Sequence, residues 1–182
     1  MARTIEQLRK EVLTANIEIF RRGLAQFTFG NVSGFDRERG VVVIKPSGVP
    51  YAKLTAKMLV ACDLNGQVAR GALRPSSDLP THLVLYRAFA GVNAIVHTHS
   101  PHATAWAQAG REIPCFGTTH ADHFHGSVPV TDAMTAREIS GDYEANTGHV
   151  IVRRFKGIDP LQVPAVLVRS HASFVWGSTV AK

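Results

Sequence analysis

The chain has 182 residues, 45% of them hydrophobic and 19% charged, which suits one globular domain with a real core and would leave two domains cramped. Its formal charge of +6 raises nucleic-acid binding, but the basic doublets are short, as at Arg21-Arg22 and Arg153-Arg154, and no basic stripe is interleaved with aromatics, so a field that gathers small anionic substrates is the better explanation. No apolar run is long enough to cross a bilayer, the N-terminal segment lacks the apolar core of a signal peptide, and Cys62 and Cys115 form no CxxC pair, so a cytoplasmic chain with reduced thiols is expected.

Residues 4–20 read as an amphipathic helix, with Thr4 as N-cap and Gln7 completing a capping box. Residues 27–35 are strand-like and interrupted by Gly30 and Gly34. Residues 41–45 form a short apolar strand that Pro46-Ser47-Gly48 closes. Residues 59–64 and 67–72 flank Asn65-Gly66, a strong hairpin signal. Residues 78–89 predict a helix, with Asp78 near its start and Pro80 in its first turn. A buried strand over 94–98 leads into His99-Ser100, followed by a short helix over 101–109, a strand over 113–116 and a loop over 117–129. A helix is predicted over 135–145 and short strands over 165–168 and 172–176. Residues 178–182 look like an N-cap and the start of a helix with no stop signal. Without regular βαβ alternation, these elements predict a largely antiparallel or mixed sheet covered by helices.

Six of the nine histidines lie between His97 and His125, a clustering that marks metal or acid/base sites. His97 and His99 stand two apart at a strand end, so both imidazoles point to one face and can reach one ion. Two hydrogen-bonded histidines at a strand end have the same spacing. Asp78, at a helix start, and His171, just after an apolar strand, complete a set of three histidines and one carboxylate that suits zinc or another first-row divalent ion. Gly30-Asn31, the Lys45–Gly48 turn and Ser76-Ser77 are donor-rich turns that can cradle a phosphate, though each is also ordinary turn chemistry. Lys45 by itself reads as a solvated lysine. Asp122, in the histidine-rich loop, reads as an acid/base or as a cap. His102, His120, His123 and His125 are weaker ligand candidates, His82 reads as helix packing, and His149 has no assignment.

The order of these motifs is specific. Gly-Asn-Val-Ser at 30–33, Lys-Pro-Ser-Gly at 45–48, Pro-Ser-Ser-Asp at 75–78 and Val-His-Thr-His-Ser at 96–100 resemble the class II aldolase/adducin family. The stretches at 102–110, 117–122 and 141–148 resemble its pentulose-phosphate 4-epimerase branch. The resemblance implies an α/β fold, a three-layer α/β/α sandwich around a central, mostly antiparallel sheet, as one domain over 1–182. It implies a homotetramer with active sites between subunits. Asp78, His97, His99 and His171 are expected to hold the metal, usually zinc. Asn31, Ser47, Gly48, Ser76 and Ser77 are expected at the phosphate end of a sugar phosphate, and Asp122 as one acid/base.

The reaction implied is interconversion of L-ribulose 5-phosphate and D-xylulose 5-phosphate by C3–C4 cleavage and re-addition. Members of the family run longer at the C-terminus, where a tyrosine supplies the second acid/base. A chain ending at Lys182 is therefore expected to be a fragment or a truncation with impaired epimerisation. The alternatives are a fuculose- or rhamnulose-1-phosphate type aldolase and a non-catalytic adducin-like interaction module.

Overall fold

Alternation along the strands sorts the apolar residues onto two faces of one sheet, and a helical layer covers each face. The computed structural model describes residues 4–181. The six strands are β1 (Asn31–Asp36), β2 (Val41–Ile44), β3 (Val60–Cys62), β4 (Ala94–Thr98), β5 (Ala165–Leu167) and β6 (Ser173–Gly177). They lie in the order β3-β2-β1-β4-β6-β5, and every neighbouring pair is antiparallel. The helices are α1 (Ile5–Arg21), α2 (Leu79–Ala88), α3 (Pro101–Gln108), α4 (Thr118–Ala121), α5 (Ala136–Ser140) and α6 (Tyr143–Arg154).

One sheet face carries Val42, Ile44, Phe35, Ile95, Val166, Phe174 and Trp176, packed with Leu83, Tyr86 and Phe89 of the α2 region and with Ile151 and Phe155 of the α6 region. The opposite face carries Val43 under Leu8 and Val12 of α1, and Ala165 and Leu167 beside Ala107 of α3. This is the three-layer α/β/α sandwich that was expected. Each fully buried side chain such as Leu8 or Phe174 contributes about 1.5–3 kcal/mol of apolar transfer. In one row across the first face, Asn31, His97 and Phe174 are cross-strand partners, which brings polar chemistry to the end of a mainly apolar surface.

Several local expectations hold. The Thr4 capping box is formed in both directions, and the strand over 94–98 has the predicted bounds. Others need correction. Residues 27–30 are not strand: Phe27 and Gly30 both have positive φ, and β1 begins only at Asn31. Gly34 does not interrupt β1 but lets α1 approach, since a Cβ there would lie 2.7 Å from the Leu8 side chain.

The 59–72 hairpin shrinks to β3 and one bridge, Cys62 to Val68. Residues 69–74 are exposed and bury nothing that would hold a second strand. The 113–116 strand is a single bridge in which Ile113 and Val128 exchange both backbone hydrogen bonds, and beyond it Cys115 and Phe116 are exposed. The 117–129 loop contains the short α4. The 135–145 helix is two helices, α5 and α6, divided at Gly141. Most of α6 was not foreseen, although Thr147, Val150, Ile151 and Phe155 carry the helical spacing of its buried face. Residues 178–181 form bends and a turn rather than a helix start, and Lys182 lies outside the described residues.

Candidate metal centre and substrate cavity

β4 delivers His97 to the sheet face under α2, and the chain continues two residues to His99 on the same side. His171 arrives on the tight turn joining β5 to β6, where Ser170 has φ of 63° and the backbone closes through His171 N–H to Val168 O at 3.0 Å. One ligand nitrogen from each of the three histidines lies within 4.8 Å of the others. His97 Nε2 and His99 Nε2 are 3.0 Å apart. Nitrogens around a tetrahedral zinc, each about 2.0–2.1 Å from it, are spaced on this scale.

The supporting contacts favour metal binding. His97 Nδ1–H donates to Ser173 O at 3.0 Å, which fixes the tautomer and leaves Nε2 with its lone pair in the cavity. Phe174 stacks on the His97 ring at 4.2 Å, and Phe29 lies parallel to His99 at 6.1 Å. The Tyr143 hydroxyl is 3.4 Å from His171 Nδ1. Burial lowers the pKa of His97 and His99. Burial, reinforced by His97 and His99, brings His171 down to about 4. Neutral imidazoles with a free nitrogen are the form that binds a metal, and the donor set fits a divalent ion.

Asp78 stands outside this tight group but lines the same cavity. It occupies the N-cap position of α2 without making a side-chain cap bond, so its carboxylate faces the cavity. Asn31 Nδ2 donates to Asp78 Oδ2 at 2.6 Å, and Ser76 Oγ donates to the same atom at 3.3 Å. The cavity encloses about 380 Å³. Besides the four expected ligands, its lining includes Asn31, Ser47, Gly48, Ser76 and Ser77, so every expected metal and phosphate residue meets in one place. The turns that carry Ser47 and Ser76 are tied together: Ser47 N–H donates to Arg74 O at 2.9 Å and Ser76 N–H to Lys45 O at 3.0 Å. Those two amides are therefore committed to the scaffold, while the side chains of Ser47 and Ser77 remain at the surface of the mouth.

Lys45 is not the solvated lysine expected. It is 2% exposed and lines the cavity. Its Nζ donates to Thr28 O at 3.3 Å and to Pro46 O at 3.4 Å, and lies 4.8 Å from the Tyr51 ring centre. Burial lowers its pKa, against a raising influence from Asp78. The sequence signal for its burial is its place at the end of an apolar strand. Phe29, Tyr143 and Glu144 also line the cavity and were not singled out. Asp122 is not among the lining residues. It is exposed after α4, in a separate hollow with Cys115, His123 and His125. His102 and His149 are exposed, and His120 Nε2–H donates to Gly126 O at 2.7 Å, so none of these histidines joins the triad.

This fold has close counterparts. Residues 10–182 match the class II aldolase and adducin N-terminal domain. The chain is 50% identical over 173 residues to the L-ribulose-5-phosphate 4-epimerase UlaF of Salmonella paratyphi C (strain RKS4594), covering 95% of this chain and 76% of that protein. Among solved structures, an L-fuculose 1-phosphate aldolase superposes with a TM-score of 0.76 at 25% identity, covering 93% of this chain and 74% of the other. YgbL of Klebsiella pneumoniae, a putative aldolase/epimerase/decarboxylase, superposes at 0.75 with 27% identity, covering 99% and 83%. The chain belongs to the class II aldolase/adducin family, and its curated relative at half identity is one of that family's enzymes. No helix among the described residues is long and apolar enough to cross a membrane.

Proposed function

We propose that the chain is a metal-dependent epimerase that interconverts L-ribulose 5-phosphate and D-xylulose 5-phosphate. The observation that carries this reading is the meeting of three neutral imidazoles, a buried lysine and two donor-rich turns in one cavity. The 50% identical epimerase supplies the substrate. Asp78, His97, His99 and His171 would hold zinc or a similar divalent ion, which would supply Lewis-acid polarisation of the substrate's oxygens.

Lys45, Ser47, Gly48 and Ser77 take the phosphate. Lys45 makes no direct ion pair among the described residues, and burial outweighs the influence of Asp78 on it, so a bound anion would favour its charged form. Asn31 and Ser76 stand between this turn and the metal ligands and orient Asp78. Asp122 accepts the C4 hydroxyl proton as the C3–C4 bond breaks. The aldehyde fragment turns within the cavity, and the bond re-forms on its other face with C4 inverted. Because Asp122 lies off this cavity, we assign it to the site of a neighbouring copy, in keeping with a homotetramer and a cytoplasmic enzyme of carbohydrate metabolism.

The fuculose-aldolase fold match keeps a second reading open, in which the cleaved fragments leave. The test is NMR product analysis after prolonged incubation of metal-loaded protein with L-ribulose 5-phosphate. D-xylulose 5-phosphate without free glycolaldehyde phosphate supports the epimerase. Accumulating aldehyde supports the aldolase, and an unchanged substrate contradicts both.

A further inference from the structure

A buried polar trio lies behind the metal cavity and has no part in the chemistry above. Ser33, His82 and Tyr86 are each fully buried, among the apolar residues that join α2 to the sheet. Ser33 Oγ lies 2.7 Å from His82 Nδ1 and 2.6 Å from the Tyr86 hydroxyl. Burial brings the His82 pKa down to about 3, so the ring is neutral and its Nδ1 can accept from the Ser33 hydroxyl while Tyr86 donates to the Ser33 oxygen. Among the described residues His82 Nε2 has no hydrogen-bond partner, which makes Ser33 the polar anchor of the ring.

The trio is in step with the metal site. Asp78, His82 and Tyr86 are spaced four apart on α2, while Asn31, Ser33 and Phe35 alternate along one face of β1. Asn31 grips Asp78 at 2.6 Å, Ser33 meets His82 at 2.7 Å, and the rings of Phe35 and Tyr86 meet at 5.1 Å. Four helical residues advance about 6 Å, and two strand residues about 6.6 Å. The two elements therefore meet rung by rung, with the Asp78 rung next to the His82 rung. His82 also lies edge-on to Phe174 at 6.0 Å, the ring that stacks on His97. Hydrogen bonds inside an apolar core hold position more strictly than apolar contacts, because a slip leaves polar groups unpaired.

We infer that Ser33, His82 and Tyr86 are positioning residues: their hydrogen-bonded rung sets the height and rotation of α2 on β1 and so holds the Asp78 carboxylate within reach of the three histidines. The inference rests on Asp78 being the fourth ligand in the proposed reading. Its test is titration of metal-free protein with Co²⁺, reading both affinity and the visible absorption spectrum. The proteins compared are the parent, Ser33→Ala, His82→Leu, His82→Asn and Asp78→Ala. Val43→Ala, on the opposite sheet face, controls for stability.

Ser33→Ala and His82→Leu are expected to lose about tenfold or more in Co²⁺ affinity, the scale of other outer-shell partners, with a changed absorption band. His82→Asn keeps an acceptor near the position of Nδ1 and stays close to the parent. Val43→Ala melts earlier but binds Co²⁺ normally. If Ser33→Ala does not fold, Tyr86→Phe, which removes one hydroxyl, is expected to weaken binding in the same direction. Parent-like affinity and spectrum in Ser33→Ala and His82→Leu, beside a weakened Asp78→Ala, would overturn the inference alone. Parent-like binding by Asp78→Ala would overturn the ligand assignment and the rung's role with it.

Discussion

Lys45 illustrates how a single residue changes meaning when its surroundings are known. In the sequence it is one of six lysines, yet folding places its ammonium group in the cavity wall, held by carbonyls and an aromatic face, with Asp78 acting on it across the cavity. A buried cation without an ion-pair partner is costly, and an arriving phosphate offsets that cost. Lys45→Met should therefore weaken binding of L-ribulose 5-phosphate by at least tenfold in calorimetry while leaving metal affinity unchanged. Equal substrate affinity would remove Lys45 from the phosphate site. His82 makes a second residue-scale prediction. Its folded pKa of about 3 lies below the unfolded value of about 6.5, so as the pH falls the unfolded chain takes up the proton first. The contribution is full above about pH 6.5 and is lost progressively as the pH falls toward 3. In metal-free protein, the denaturant midpoint should fall over that window, and His82→Asn should flatten the fall. An identical slope in the variant would show that His82 does not carry it.

At the scale of elements, legibility followed how locally each signal is written. The capping box of α1 and the run of five residues in β4 are complete within their own segments, and both are found where expected. α6 was missed beyond its first residues because Gly148 and the polar stretch around it weaken the pattern. Only the tertiary contact explains that glycine: a Cβ at 148 would lie 2.7 Å from Val84 Cβ on α2. Gly148→Val should force α2 and α6 apart and cost about 1–3 kcal/mol as overpacking, with a lower melting temperature. A melting temperature equal to the parent's would mean that the two helices adjust freely. The candidate metal ligands are legible because HxH at a strand end and the flanking motifs are local. The hydrogen bonds that orient them, from Ser173 O and Asn31 Nδ2, join segments far apart in the chain and leave no pattern in sequence.

For the whole molecule, the antiparallel sheet between helical layers collects five separated segments, around Asn31, Ser47, Ser76, His97 and His171, where a single cavity holds every expected metal and phosphate residue. Asp122 is the exception, and its position in another hollow makes a prediction about assembly. If Asp122 serves a neighbouring copy, His97→Ala and Asp122→Asn disable different parts of a shared site. Mixing the two variants after dissociation and reassembly should restore turnover that neither shows alone. Failure of a mixed assembly to regain turnover would place the acid/base elsewhere, with His120 and His123 the next residues to test.

The central claim, that this chain builds a divalent-metal centre from Asp78, His97, His99 and His171, is tested most directly by titrating metal-free protein with Zn²⁺ in a calorimeter. The account predicts one ion per chain for the parent, and for His97→Ala a loss of affinity large enough to abolish the high-affinity isotherm, with folding unchanged by circular dichroism. A His97→Ala isotherm that matches the parent in stoichiometry and affinity would contradict it.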